Sequence, residues 1–143
     1  MAPLTKGRNT PQRLGDIQSG PVPAGAVIFQ GALLVRTPSG YVQPGVPAVG
    51  LVGVGRAEEA VDNTGGEFGD LTVRYRPGVF RYANSAGDDA VVLRDIGTLC
   101  FVVDDQTVAA TNGAGARSPA GVIADVDAQG VWVRLDEALT NAS

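Results

Sequence analysis

The last third of the chain constrains the fold most, because short apolar runs alternate there with polar turns. Two pairs of runs have the pattern of β-hairpins, residues 98–103 with 107–110 and residues 121–126 with 130–135. The turns between them contain aspartate and glycine, which adopt turn geometries without strain. This pattern predicts a packed β-module.

The preceding part of the chain shows the same alternation of apolar runs and turns. Runs at residues 26–30, 33–36 and 41–43 are separated by segments that contain glycine or proline. No helical pattern of about 10–15 residues lies between them. The 20 glycines and 9 prolines also disfavour long helices. The sequence therefore predicts an all-β (mainly β) fold, a small β-barrel or β-sandwich of short antiparallel strands.

One segment predicts a strand that is buried on both faces. Residues 49–54 form an apolar run without alternation, and Gly50 and Gly53 within it would let another backbone come close. The continuation at residues 56–61, RAEEAV, fits either strand or one helical turn. We therefore expect a buried strand here, with its continuation undecided between the two forms.

A further hairpin is predicted near the middle of the chain. Residues 71–76 alternate apolar and polar positions, which places the two arginines of the run opposite Val73 and Tyr75. Pro77-Gly78 is a favourable turn sequence, and residues 79–82 form the next run. The two runs are expected to pair with each other.

Basic and acidic residues are unevenly distributed. Residues 1–14 contain two prolines and no periodic pattern, and they carry Lys6, Arg8 and Arg13 without any acidic residue. This leaves 8 of the 11 basic residues against all 15 acidic ones in the remainder, a balance of −7. We predict an extended N-terminal arm, residues 1–14, on a single β-rich domain, residues 15–143. The charge difference favours a polarised contact surface, and the alternative is a solvated tail.

The composition excludes the commonest kinds of catalytic site. The chain has no histidine, which removes the most frequent general base and metal ligand and every Ser-His or Cys-His pair. Acidic residues cluster beside small turn-forming residues, where carboxylates are common for backbone reasons alone. We predict structural turns, with a calcium or magnesium site as the alternative, and hence no catalytic residue, metal or cofactor. The clusters are Glu58-Glu59, Asp88-Asp89, Asp104-Asp105, and Asp125 with Asp127.

Two patterns resemble nucleotide or nucleic-acid sites. Gly53-Val54-Gly55 lacks the third glycine and the crossover helix of a dinucleotide fingerprint, so strand packing explains it better. Arginines also interleave with aromatic residues, as on surfaces that bind single strands. Core aromatics alternating with surface arginines give the same pattern, and the acidic body favours that interpretation over a nucleic-acid partner. The interleaved residues are Arg74, Arg76 and Arg81 with Tyr75, Phe80 and Tyr82.

Two single residues carry separate predictions. Trp132 is the only tryptophan and is expected to anchor the core or a subunit interface. Cys100 is the only cysteine, so no intrachain disulfide can form and a buried structural thiol is expected. No apolar run approaches about eighteen residues and no export signal is visible. We expect a protein made in the cytoplasm, without a membrane partner.

A resemblance to a known family rests on the sequence texture of roughly residues 50–135. The segments that carry it are GDLTVRYRPGVFRYANSAGDDAV and DIGTLCFVVDDQTVAATNGAGARSPAGVIADVDAQGVWVRL. They resemble small head proteins of tailed bacteriophages that act as capsid decoration, or cement, proteins. The resemblance implies a β-rich domain, usually a homotrimer, on the capsid exterior. There it would sit at three-fold or quasi-three-fold positions and clamp neighbouring subunits of the major capsid protein.

These implications give a functional hypothesis. The chain would be a non-enzymatic structural protein of the virion that binds the major capsid protein and other copies of itself. Lys6, Arg8 and Arg13 are predicted to contact the capsid as the arm becomes ordered. The alternatives are a head–tail or tail adaptor, a receptor-binding β-module, and a small enzyme that uses carboxylates alone.

Overall fold

The regular secondary structure of the described residues consists mainly of short β-strands. The computed structural model describes residues 2–10, 12–13 and 15–143. Strands account for 39% of the structure and helix for 8%, so the all-β prediction is confirmed. Two 3₁₀ turns occupy Gly87–Asp89 and Leu93–Asp95. The other elements are β1 (Gln18–Pro21), β2 (Val27–Ile28), β3 (Leu33–Arg36), β4 (Val42–Pro44), β5 (Val52–Ala57), β6 (Val61–Asp62), β7 (Thr72–Arg76), β8 (Gly78–Asn84), β9 (Leu99–Val102), β10 (Thr107–Ala109), β11 (Pro119–Asp127), β12 (Gly130–Leu135) and α1 (Glu137–Asn141).

The strands form an open sheet, a closed barrel and a two-stranded ribbon. The open sheet has the order β1-β7-β5-β3-β4, the barrel β10-β8-β12-β11-β9, and the ribbon pairs β2 with β6. Within the described residues every pair is antiparallel except β10 with β8, which run parallel. A closed ring of five strands cannot alternate direction all the way round. One parallel pair is therefore required, which the prediction of antiparallel strands alone did not include.

Strand β3 joins two hydrophobic cores. Leu33 and Val35 point into the barrel core, whereas Leu34 points into the second core, which the open sheet encloses with the ribbon. All three side chains are fully buried. Because successive residues of a strand face opposite sides, one strand serves both cores and ties the open sheet to the barrel.

Strand β5 passes unusually close to the barrel. A Cβ atom on Gly53 would overlap the backbone carbonyl of Ala120 in β11. The predicted close approach of another backbone is therefore confirmed at Gly53. The buried strand predicted for residues 49–54 is confirmed only in its last part, because β5 begins at Val52 and Val49 is 67% exposed. The strand continues to Ala57, and Val61 opens β6, so the alternative of a helical turn at residues 56–61 is wrong.

The hairpin predicted for residues 71–82 does not form. Strand β7 pairs with β1 and β5 in the open sheet, while β8 pairs with β12 and β10 in the barrel. Only Pro77 separates β7 from β8, and one residue is too short for a hairpin loop. The chain crosses here from one sheet to the other, so Tyr75 packs in the open-sheet core and Tyr82 in the barrel core.

The two hairpins predicted in the last third are confirmed. Strand β9 pairs with β10, and β11 pairs with β12, both antiparallel. Helix α1 follows β12 and is capped by Asp136, whose side chain accepts a hydrogen bond from the backbone N–H of Leu139 at 3.0 Å. Glu137 pairs with Arg36 of β3 at 2.7 Å, which attaches the short helix to the open sheet.

Cys100 is fully buried in the barrel core, as predicted. Burial raises the pKa of its thiol from 9.0 to about 12. The thiol donates a hydrogen bond to the carbonyl of Gly121 at 3.6 Å. The raised pKa means that the folded state favours the neutral thiol. The contribution of Cys100 to the free energy of unfolding is therefore fully present below pH 9 and is lost as the pH rises toward 12.

We expect the native protein at pH 8 to react with a thiol reagent such as DTNB at least about 100-fold more slowly than the urea-unfolded chain. The measurement is the absorbance time course with and without denaturant. Equal rates in the two states would contradict the burial of Cys100.

Candidate interaction surfaces

The described part of the N-terminal arm has no regular secondary structure. Its described residues, 2–10 and 12–13, are all exposed, including Lys6, Arg8 and Arg13. Leu4 is 71% exposed as well. The other arm positions, Met1, Pro11 and Leu14, lie outside the described residues. The arm precedes β1, which is an edge strand of the open sheet.

Ion pairs in the described residues all lie in the body of the protein. They join Arg36 to Glu137, Arg56 and Arg76 to Glu58, Arg74 to Glu59, and Arg117 to Asp89. The three arm cations take part in none of them. Five of the eight body arginines are therefore paired with carboxylates, two of them with the same one, whereas none of the three arm cations is.

Trp132 lies on the outside of the barrel and belongs to neither core cluster. The side chain is half-buried, and its Nε1 donates a hydrogen bond to Oδ2 of Asp127 at 2.8 Å. The guanidinium carbon of Arg81 lies 5.6 Å from the ring centroid. The core alternative for Trp132 is thus wrong, and its role at a subunit interface stays a prediction.

The hydrogen bond from the indole has an electrostatic effect on Asp127. It lowers the pKa of that carboxyl, with help from the backbone N–H groups of Gln129 and Gly130 and from the charge of Arg81. The lowered pKa favours the ionised form, which is the form that accepts these bonds. The position of Trp132 is therefore fixed by an ionised carboxylate from its own hairpin turn.

Most of the carboxylates considered as metal ligands have structural partners. Asp104 accepts a hydrogen bond from the backbone N–H of Gln106 at 2.9 Å, and Asp127 from that of Gln129 at 2.8 Å, so the turn interpretation is confirmed for both. Glu58 and Glu59 are in ion pairs instead. In the part of the chain that the structure describes, no three potential ligands of the His, Cys, Asp or Glu type come together.

Asp89 has a role that the turn interpretation missed. Thr111 donates a hydrogen bond to its Oδ1 at 2.6 Å, and Arg117 approaches Oδ2 at 3.3 Å. These contacts, that of Thr111 first, lower the pKa of the Asp89 carboxyl. They tie the glycine-rich loop at residues 111–117 to the turn at residues 87–89. No local sequence signal indicates this contact, since the two segments lie far apart in the chain.

The interleaved arginines and aromatics follow the pattern of core aromatics with surface arginines. Tyr75 and Tyr82 are buried, and the guanidinium of Arg56 covers Phe80 at 4.2 Å from the ring centroid. Arg74 and Arg76 are paired with carboxylates. Because the aromatic faces are covered by the protein itself, these residues do not form a platform on which bases could stack.

The surface of the described chain has several open clefts. One cleft of about 580 Å³ lies between Gln18, Pro77 and residues 136–141. Its carboxylates are engaged, since Asp136 caps α1 and Glu137 pairs with Arg36. Both carboxylates of the cleft therefore have partners within the protein.

Comparison with protein-family models, with curated proteins and with solved structures gave no match. Within the described residues, no helix is long and apolar enough to cross a membrane.

Proposed function

We propose that the chain is a structural protein of a tailed-phage virion that binds the outer surface of the capsid. In this proposal it is made in the host cytoplasm and acts as a homotrimer at three-fold or quasi-three-fold positions. It clamps adjacent subunits of the major capsid protein and catalyses no reaction. The resemblance of residues 50–135 to decoration proteins suggests this role.

The observation that carries the proposal is the exposed basic arm that precedes an acidic β-body. Lys6, Arg8 and Arg13 are exposed, and the described body arginines are largely paired internally. An exposed segment that precedes an edge strand can be ordered by a partner surface, either by strand addition or by charge pairing. The body supplies a fixed platform from which the arm reaches a neighbouring capsid subunit.

Such a protein would stabilise the shell through binding energy alone. A ligand that binds only the assembled state shifts the equilibrium toward that state. A trimer that contacts several subunits at once also gains from multivalency, since later contacts form within an existing complex. Modest contacts by each arm would therefore add up over the many sites of a capsid.

The copy number in purified particles tests the proposal. Quantitative mass spectrometry should find this chain on the order of hundreds of copies per particle, in a simple ratio to the major capsid protein. A head–tail adaptor or a receptor-binding spike would instead give a small ring or spike number, about 6 to 18, and that result would overturn the proposal.

A further inference from the structure

The barrel is closed by a very short contact on one side of strand β8. Strand β10 pairs with β8 only at Ala83 and Asn84, near the end of β8. On the other side of β8, strand β12 pairs with it continuously from Gly78 to Tyr82. Among the described strands, residues 79–82 of β8 therefore have a neighbour on one side alone. We call their other side the open edge of β8.

The open edge presents backbone groups of Val79 and Arg81. The backbone N–H of Ala83 donates a hydrogen bond to the carbonyl of Gln106 at 2.8 Å, so the backbone of Ala83 points toward β10. Every second residue of a strand points its N–H and C=O groups to the same edge. The groups of Val79 and Arg81 therefore face the open edge, where no backbone group of the described residues bonds to them.

A groove runs along this edge. Residues 79–82 line one cleft of about 320 Å³, and Gly31 and Arg56 also line it. Gly31 lines two neighbouring clefts as well, one of about 450 Å³ that reaches Gln106 and one of about 330 Å³ that reaches Glu58. Gln106 immediately precedes β10. An extended chain placed in this groove would therefore continue the line of β10 along β8.

The open edge lacks the features that usually block an edge strand, which are proline, a bulge or a charged side chain that lies across the edge. Residues 79–82 contain no proline, and their register with β12 is continuous. Their one charged side chain is that of Arg81. Its guanidinium carbon lies 5.6 Å from the ring centroid of Trp132, on the side of β12. The backbone at the open edge is therefore accessible.

Side-chain charge does not select the occupant of the groove. Arg56 pairs with Glu58 at 3.0 Å, and the carboxylate of Asp127 lies near Arg81. The two arginines that line the groove are thus offset by carboxylates of the protein itself. The N–H and C=O groups of Val79 and Arg81 are the unmatched feature, and the backbone of an extended chain is the group that complements them best.

We propose that the open edge of β8 binds an extended segment of a partner protein, which adds a strand to the barrel by pairing with Val79 and Arg81. Main-chain hydrogen bonds supply the affinity in complexes of this kind. The segment therefore needs N–H groups, and so no proline, at the positions that pair with β8. This inference goes beyond the proposed function and does not depend on it, because any partner with an extended segment could bind in this way.

Amide hydrogen exchange of the full-length protein, followed by NMR, tests the open edge itself. The amides of Phe80 and Tyr82 should exchange slowly because they bond to β12. Those of Val79 and Arg81 should exchange at least about 100-fold faster. Equal protection of these neighbouring amides would show that the edge is already occupied within the chain, and it would overturn the inference.

The occupant is tested with linear peptides of about twelve residues, selected by mRNA display against the full-length protein. Bound peptide should slow exchange at Val79 and Arg81. It should also change the emission of Trp132, the only tryptophan, which lines the same cleft. N-methylation along the peptide backbone should weaken binding at least about tenfold at every second residue and have little effect in between, because only alternate N–H groups face β8.

A substitution at Gly31 tests the location of binding. Asparagine tolerates the positive φ of 90° at this position, and its side chain would enter space that is now empty. In Gly31→Asn, affinity for the selected peptides should fall at least about tenfold, because a second backbone can no longer approach as closely. Circular dichroism checks the fold.

Gly25→Asn is the matched control. Gly25 has a φ of 72°, a Cβ there would also meet no atom within 4 Å, and the residue lines none of the three clefts. This variant should bind the peptides as well as the unmodified chain. Equal affinities of the two variants, N-methylation effects without alternation, or a selection that yields no peptide at this edge would each overturn the inference.

Discussion

Replacing Gly53 by alanine is expected to lower the free energy of unfolding by about 3 kcal/mol, at the upper end of the usual cost of overpacking. The added Cβ would overlap the backbone carbonyl of Ala120 in β11. A side chain could rotate away from such a clash, but a carbonyl within a paired strand cannot move without disturbing the barrel. The midpoint of urea denaturation measures the effect, and it should fall with an unchanged m value.

Gly15→Ala is the matched control for this substitution. A Cβ at Gly15 would meet no atom within 4 Å, so its free energy of unfolding should change by no more than about 0.5 kcal/mol. If Gly53→Ala were as stable as this control, the close packing of β5 against β11 would be wrong. The junction between the open sheet and the barrel would then need another explanation.

Neutralising the arm should have the largest effect on capsid binding. The variant that tests this combines Lys6→Gln, Arg8→Gln and Arg13→Gln. In the proposed complex it removes three exposed charge contacts, each of which contributes about 0.2–1 kcal/mol to binding. We expect occupancy per site to fall roughly tenfold at about 0.15 M salt when binding is not saturated. The measurement uses particles produced without this chain, to which purified protein is added before sedimentation and quantification.

The control for the arm is a body variant with the same change in net charge. Arg74→Gln, Arg76→Gln and Arg94→Gln also remove three positive charges but leave the arm intact. This variant should bind nearly as well as the unmodified chain. Deletion of residues 1–14 should match the neutralised arm, and unchanged occupancy after deletion would remove the arm from the proposed contact.

Sequence patterns predicted the elements whose partners are close in the chain. The β9–β10 and β11–β12 hairpins follow from apolar runs joined by short polar turns, and these turns bring the strands together without help from the rest of the fold. The carboxylate of Asp127 lies in the second of these turns. Its hydrogen bond to Trp132 is therefore a local consequence of the hairpin.

Pairings between distant segments could not be predicted in this way. The Pro77-Gly78 sequence favours a turn, yet the strands on either side enter different sheets because Tyr75 and Tyr82 are buried in different cores. The contact of Arg81 with Trp132 depends on the pairing of β8 with β12, which joins residues about fifty positions apart. Local periodicity contains no information on such a register.

The outer position of Trp132 has the same cause. A tryptophan in an apolar run favours the core by hydrophobicity alone, but strand alternation puts Val131 and Val133 inside and the indole outside. The closure of the barrel determines which face of β12 is buried. The prediction that Trp132 packs in the core is therefore wrong. The prediction that it lies at a subunit interface stays a prediction.

A cryo-electron microscopy reconstruction of the purified particle tests the central claim most directly. The account predicts density for the two-core β-body on the outside of the shell at three-fold or quasi-three-fold positions. The arm with Lys6, Arg8 and Arg13 should lie against a major capsid subunit. Density for this chain confined to the neck or tail, or a shell surface without it, would contradict the account.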